Sequence, residues 1–232
     1  MTWLSDPTFW LAVGQIILVD ILLGGDNAVV IALACRRLPP DLRTKGIWWG
    51  TAGAIALRLI LIFFAISLLK LPGLKLVGAL ALIWIGVKLM LPEADEGHGN
   101  ISGSDKLWAA VRTVIVADLV MSVDNVIGVA GAASAAAPAQ QMFLVGFGLL
   151  VSIPIIIWGS QIVLKLMDRF PWVITAGAML LGYIAGSLLF GDPLLQPGLA
   201  GLPAGSNHVS GLLGAALVWG LGRFFAQRRT AA

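Results

Sequence analysis

Two aspartates and an asparagine recur in the same order at two places in this chain. The first copy is Asp20-Ile-Leu-Leu-Gly-Gly-Asp26-Asn27, and the second, 98 residues later, is Asp118-Leu-Val-Met-Ser-Val-Asp124-Asn125. Both lie inside long apolar runs. An aspartate at the centre of a membrane-spanning helix costs about 2.5–3.5 kcal/mol, so four of them imply a use. Their donors are all oxygen: carboxylates, amide carbonyls and, at Ser122, a hydroxyl. Hard divalent cations such as Mn²⁺, Mg²⁺ and Ca²⁺ suit that set, whereas Zn²⁺ and Cu⁺ do not. The candidate metal ligands are therefore Asp20, Asp26, Asn27, Asp118, Asp124 and Asn125, with Ser122, Gly24 and Gly25 as accessory candidates. Arg58 is the candidate charge partner, because it lies far from either end of its apolar run and cannot snorkel to water.

Spacing adds a geometric expectation. Residues six apart on an unbroken helix diverge by about 240° around its axis. Asp20 and Asp26 then face apart, and Gly24-Gly25 offers a break after which Asp26 or Asn27 starts a second half-helix. In the second copy Ser122 stands four residues after Asp118 and shares its face even if the helix continues.

The elements that must position these groups are helices in a bilayer. Of 232 residues, 59% are hydrophobic and 12% charged, with mean hydropathy +0.94; a soluble domain carries roughly 25% charged residues. The expected fold is an all-α polytopic membrane protein with seven spans: 9–34, 47–69, 74–91, 107–133, 142–166, 172–190 and 209–226. A β-barrel would show short alternating segments instead. The N-terminus lacks the basic segment of a secretory signal. The single cysteine, Cys35, excludes an internal disulfide and reads as a small residue at a helix end. The net charge of +3 resides in connecting segments, which argues against nucleic-acid binding.

Basic residues set the expected orientation. Arg36, Arg37, Arg43 and Lys45 follow span one, Lys165 and Arg169 lie at the end of span five, and Arg223, Arg228 and Arg229 lie near the C-terminus. Seven spans put all three groups on one side, so the N-terminus is expected outside and the C-terminus in the cytoplasm. Lys88 reads as a snorkelling anchor, and Trp48, Trp49, Trp108 and Trp172 as interfacial anchors. Gly50, Gly53, Gly128, Gly131 and Gly146 allow close helix packing. Pro154 is expected to kink span five, and His208 to be a surface residue.

The repeat extends beyond the motifs. The stretch from Gly78 to Leu89 is similar to that from Gly177 to Leu188. Spans one to three thus correspond to spans four to six. Each half has an odd number of spans, so the halves are inverted relative to one another, the plan of secondary transporters with a midplane site. The expected organisation is 1–92, a first three-helix repeat; 93–106, an acidic cytoplasmic linker; 107–190, a second, inverted three-helix repeat; and 191–232, an external loop, a seventh helix and a basic cytoplasmic tail.

At Val19–Val30 and Ala117–Ile127 the sequence resembles the TerC family of integral membrane proteins, in particular its small bacterial YjbE-type members. The likeness covers spans one to six. It implies a multi-pass protein of the bacterial cytoplasmic (inner) membrane that exports manganese, and it carries the six Asp and Asn positions over one by one. Gly24-Gly25 against Ser122-Val123 makes the halves unequal. The expected function is export of a divalent cation, Mn²⁺ before Ca²⁺ or Mg²⁺, in exchange for protons. The expected partners are the metal ion, the lipid bilayer and a second copy of the chain, with no organic cofactor, no nucleic acid and no catalytic residues. The alternatives are a membrane scaffold of a metal or tellurite stress-response complex and an intramembrane aspartyl protease, which Gly24-Gly25-Asp26 resembles only faintly.

Overall fold

The computed structural model describes residues 7–69, 71–91, 102–133, 138–199, 201–203 and 205–230. Among these the chain forms eight α-helices: α1 Pro7–Cys35, α2 Pro40–Leu69, α3 Leu74–Met90, α4 Gly103–Ala133, α5 Pro138–Arg169, α6 Trp172–Leu188, α7 Gln196–Leu199 and α8 Ser206–Thr230. A short 3₁₀ turn, Leu189–Gly191, follows α6. No strand occurs among the described residues. Three stretches there are long and apolar enough to cross a membrane: Leu149–Arg169, Trp172–Gly191 and Ser206–Arg228.

Several helices begin before their apolar runs do. Pro40 opens α2 and Pro138 opens α5, the first helical turn being where a missing N–H costs nothing. The helix α4 starts at Gly103, so the last residues of the expected linker are helical. Ser102 caps it by accepting a hydrogen bond from Asp105 N–H (3.2 Å) and donating to the Asp105 carboxylate (2.8 Å). Residues 92–101 of that linker lie outside the described residues.

The packing has a regular pattern. The helix α1 packs chiefly on α5, and α2 on α4; α1 also meets α4, and α3 meets α6. Exchanging α1 with α4, α2 with α5 and α3 with α6 leaves this set of pairs unchanged. Along the α2–α4 contact the register rises in parallel: Gly50 faces Val114, Gly53 faces Ile115, and Arg58 meets Asp118. A Cβ on Gly53 would come within 2.7 Å of the Ile115 side chain. By contrast, a Cβ on Gly146 would meet nothing within 4 Å among the described residues.

The tightest approach is between α6 and α8. At Gly182 and Gly186 a Cβ would collide with backbone atoms of Gly214 and Ser210. Gly182 and Gly186 are one helical turn apart, the small-residue spacing that brings two helices into backbone contact. Gly86 on α3 abuts Val218 and the Ala178 carbonyl, which places α3 in the same cluster.

Helix ends gather in alternation. Arg43, in the first turn of α2, pairs with Asp168 at the end of α5 (2.8 Å) and donates to the carbonyls of Arg36 and Leu38. Arg37 donates to the carbonyls of Lys88, Leu89 and Leu91 at the end of α3. Leu42 reaches the start of α4, and Met90 the last turns of α8. At the opposite end, Asp192 after α6 binds the start of α3. Cys35 is the last residue of α1 and is fully buried. Trp48, Trp49, Trp108 and Trp172 are all exposed on the outer surface.

Candidate functional site

The helix α1 runs unbroken through Gly24 and Gly25, contrary to the half-helix expected from sequence. Positive φ among the described glycines is confined to Gly73 and Gly205. The physical reason is backbone satisfaction. A break would expose donors and acceptors that cost several kcal/mol each in an apolar surround, while two helical glycines cost about 1 kcal/mol each. Asp20 and Asp26 therefore sit on different sides of one continuous helix.

The second motif lies on α4, and its described part is built around Asp118. Arg58 on α2 donates from Nη2 to Asp118 Oδ1 at 2.7 Å, with the two side chains 2% and 5% exposed. Arg58 Nε donates to Ser122 Oγ at 3.1 Å, and Ser122 Oγ donates to Asp118 Oδ2 at 2.9 Å. Arg58, Ser122 and Asp118 thus close a ring of three hydrogen bonds. Ser122 can complete it because the i, i+4 spacing of α4 places its hydroxyl over the Asp118 carboxylate. Arg58 can reach it because Gly50 and Gly53 let α2 lie close against α4.

The first motif contributes Asp26 and Asn27. Asp26 is half-buried and accepts a hydrogen bond from the Asn27 backbone N–H at 2.8 Å. It lies within electrostatic reach of both Arg58 and Asp118. Asn27 is 4% exposed, yet neither its Oδ1 nor its Nδ2 has a hydrogen-bond partner among the described residues. Thr51 Oγ1 on α2 is likewise buried and unpartnered. It stands two turns before Arg58 on the same helix face. Sequence reading did not single out Thr51, since a lone threonine in an apolar run carries no signal.

The side chains of Asp20, Asp124 and Asn125 lie outside the described residues, although their backbone is helical. Gly25 is exposed, with open space where a Cβ would stand. Among the described residues no three His, Cys, Asp or Glu side chains converge. What is brought together is one carboxylate paired with a buried guanidinium and a second carboxylate within electrostatic reach; next in sequence to the latter is an amide whose donor and acceptor are unused among the described residues. This arrangement can hold positive charge inside an apolar bundle.

Asp192 is a second group that sequence reading missed. It is fully buried and accepts hydrogen bonds from Gly73 N–H (2.9 Å), Leu76 N–H (2.9 Å) and Leu194 N–H (2.8 Å). Burial alone would raise its pKa, but these N–H donors, with Lys75 N–H, hold it below the ordinary value of 3.8. A carboxylate at the start of α3 also meets the positive end of that helix. Its role is to fasten the segment after α6 to the loop before α3. His208, also away from the paired aspartates, is exposed and bonds Tyr183 Oη through Nδ1 at 2.6 Å.

The profile described as "Integral membrane protein TerC family" matches residues 5–230. The chain is 43% identical over 178 residues to "Uncharacterized membrane protein YjbE" of Bacillus subtilis strain 168, covering 77% of this chain and 78% of the relative. It is 28% identical over 190 residues to "Uncharacterized membrane protein YceF" of the same organism, covering 78% and 72%. It is 24% identical over 194 residues to "UPF0053 inner membrane protein YgdQ" of Escherichia coli K12, covering 74% and 76%. No solved structure gives a significant match.

Proposed function

The chain belongs to the TerC family of integral membrane proteins, and from that premise we propose that it is a secondary transporter exporting a divalent metal cation from the cytoplasm. The observation that carries this reading is the buried Arg58–Asp118–Ser122 cluster, midway along two packed helices and within electrostatic reach of Asp26. Charge at that depth is costly and marks ion pathways. The donors, carboxylate, amide and hydroxyl oxygens, suit a hard dication, and Mn²⁺ is the preferred cargo because the family resemblance implies manganese export. Ca²⁺ and Mg²⁺ are its competitors. Protons are the natural counter-ion, since carboxylates that release a metal can take up protons. The six motif side chains are the proposed ligands, Asp20, Asp124 and Asn125 by position in the repeat.

The proposed architecture is seven crossings in two inverted three-helix halves, α1–α3 and α4–α6, followed by α8. The pair exchange described above supports the inverted repeat, as does the parallel run of α2 and α4. The gathering of helix ends supports an odd number of crossings. The basic end is placed in the cytoplasm by its arginines, and the membrane is the inner one, as the name of the Escherichia coli relative states for that protein. No enzyme activity is part of this reading.

Uptake by proteoliposomes under competition among Mn²⁺, Ca²⁺ and Mg²⁺ tests it. Wild-type protein is expected to move Mn²⁺, and Asp20→Asn and Asp124→Asn to abolish that movement. Normal transport by both variants would remove the site assignment, and no transport of any of the three cations by the wild type would remove the function.

A further inference from the structure

We infer that Arg58 is a resident counter-cation that exchanges with the transported metal for Asp118. The inference rests on the transporter reading and adds a step to it. Both Asp118 oxygens are already engaged, Oδ1 by the Arg58 guanidinium and Oδ2 by the Ser122 hydroxyl. A dication ligating Asp118 would stand beside a fixed positive charge in an apolar surround, where like charges repel with little screening. Asp118 therefore serves Arg58 or the metal, not both.

The geometry gives Arg58 a way to leave without being lost. Its Nε is tied to Ser122, while Nη2 holds the carboxylate. Ser122 is on α4 one turn beyond Asp118, so the guanidinium can pivot on the hydroxyl and free Oδ1. Asp26, in electrostatic reach of Arg58, supplies a second negative charge on the facing helix. On Asp118 the guanidinium neutralises the carboxylate when the cargo is absent, and its return displaces the cargo. The repeat sharpens the point. The position four after Asp20 is Gly24, where the position four after Asp118 is Ser122. The hydroxyl pivot exists in one half only, so exchange operates on one side of the site.

The test uses full-length protein, Mn²⁺ titrated calorimetrically in detergent, and Mn²⁺ uptake in proteoliposomes. Removing the competitor in Arg58→Gln should tighten Mn²⁺ binding by about tenfold or more, because the competent state no longer has to be freed. Uptake should slow in the same variant, since release has lost its replacement cation. Arg58→Lys keeps the charge but loses the two-atom grip and should tighten binding by a smaller factor. It decides the matter if Arg58→Gln does not fold. Equal or weaker binding in the folded variants, with wild type binding normally, overturns the exchange and leaves the transporter reading standing. Wild-type protein that neither binds nor moves Mn²⁺ overturns both.

Discussion

The described groups of the two motif copies are held in opposite ways. In the second copy Asp118 is locked by an ion pair and a serine, each bond near ideal length. In the first copy Asp26 receives a bond from the neighbouring backbone, and the Asn27 amide receives none among the described residues. A buried, unsatisfied amide costs about 1–3 kcal/mol. Asp118 is thus tied into the bundle by an ion pair that the proposed exchange has to open, while the Asn27 amide keeps its donor and acceptor unused among the described residues.

The largest effect on stability should come from breaking the locked copy. Asp118→Asn removes the carboxylate that the buried Arg58 guanidinium holds at 2.7 Å, a loss of about 3–5 kcal/mol. Denaturant titration of purified protein in mixed micelles would measure it. The double variant Asp118→Asn with Arg58→Met should recover much of that loss, because it removes both charges. If the single variant is as stable as wild type, Asp118 is not what neutralises Arg58, and the contrast between the copies disappears.

Asp192 provides a carboxylate with a structural role only, at an end of the bundle away from the motifs. Asp192→Asn should destabilise by less than Asp118→Asn and leave Mn²⁺ binding unchanged. Its pH signature has a definite sign. The folded-state pKa lies below the ordinary value of 3.8, so the fastening is complete above about pH 4. It is lost as pH falls through the depressed folded value. Wild type should therefore show a loss of stability in that acid window which is reduced in Asp192→Asn.

How much of this was legible in the sequence follows from the range of each interaction. The all-helical character came from apolar runs, which are local. The sharing of a face by Asp118 and Ser122 came from i, i+4 spacing, also local. That Arg58 would need a carboxylate followed from its depth in an apolar run, though not which carboxylate. The helices starting at Pro40, Gly103 and Pro138 begin before the expected spans, because hydropathy marks the membrane and not the helix. Gly24-Gly25 misled, since glycine permits a break without requiring one. Asp192 was invisible because its partners at Gly73 and Leu76 lie more than a hundred residues away. The Gly182–Gly214 contact was equally hidden, since a glycine in an apolar helix does not announce which neighbour it meets.

Smaller effects probe the ring itself. Ser122→Ala removes a donor to Asp118 and an acceptor for Arg58 Nε, at a cost of about 1–2 kcal/mol. It also removes the pivot on which the guanidinium turns. Stability should fall modestly while Mn²⁺ uptake falls further, and the two measured together distinguish a packing role from a role in exchange. A stability loss matched by an equal fraction of lost uptake would reduce Ser122 to a brace.

The smallest stability effect is expected where the functional effect is large. Asn27→Leu replaces a buried amide, without a partner among the described residues, by an apolar side chain of similar size. Nothing is left unpaired by the change, and the desolvation penalty of the amide is removed, so stability should stay within about 1 kcal/mol of wild type or rise. Mn²⁺ binding should nonetheless weaken strongly, because the site loses a neutral oxygen donor. Calorimetric titration beside a denaturant titration of the same preparation reads both. Retained stability with lost binding would identify the first copy as the half kept for cargo. Lost stability would mean that the amide has a partner in the folded protein, and the asymmetry between the copies would have to be sought at Gly24 and Ser122 instead.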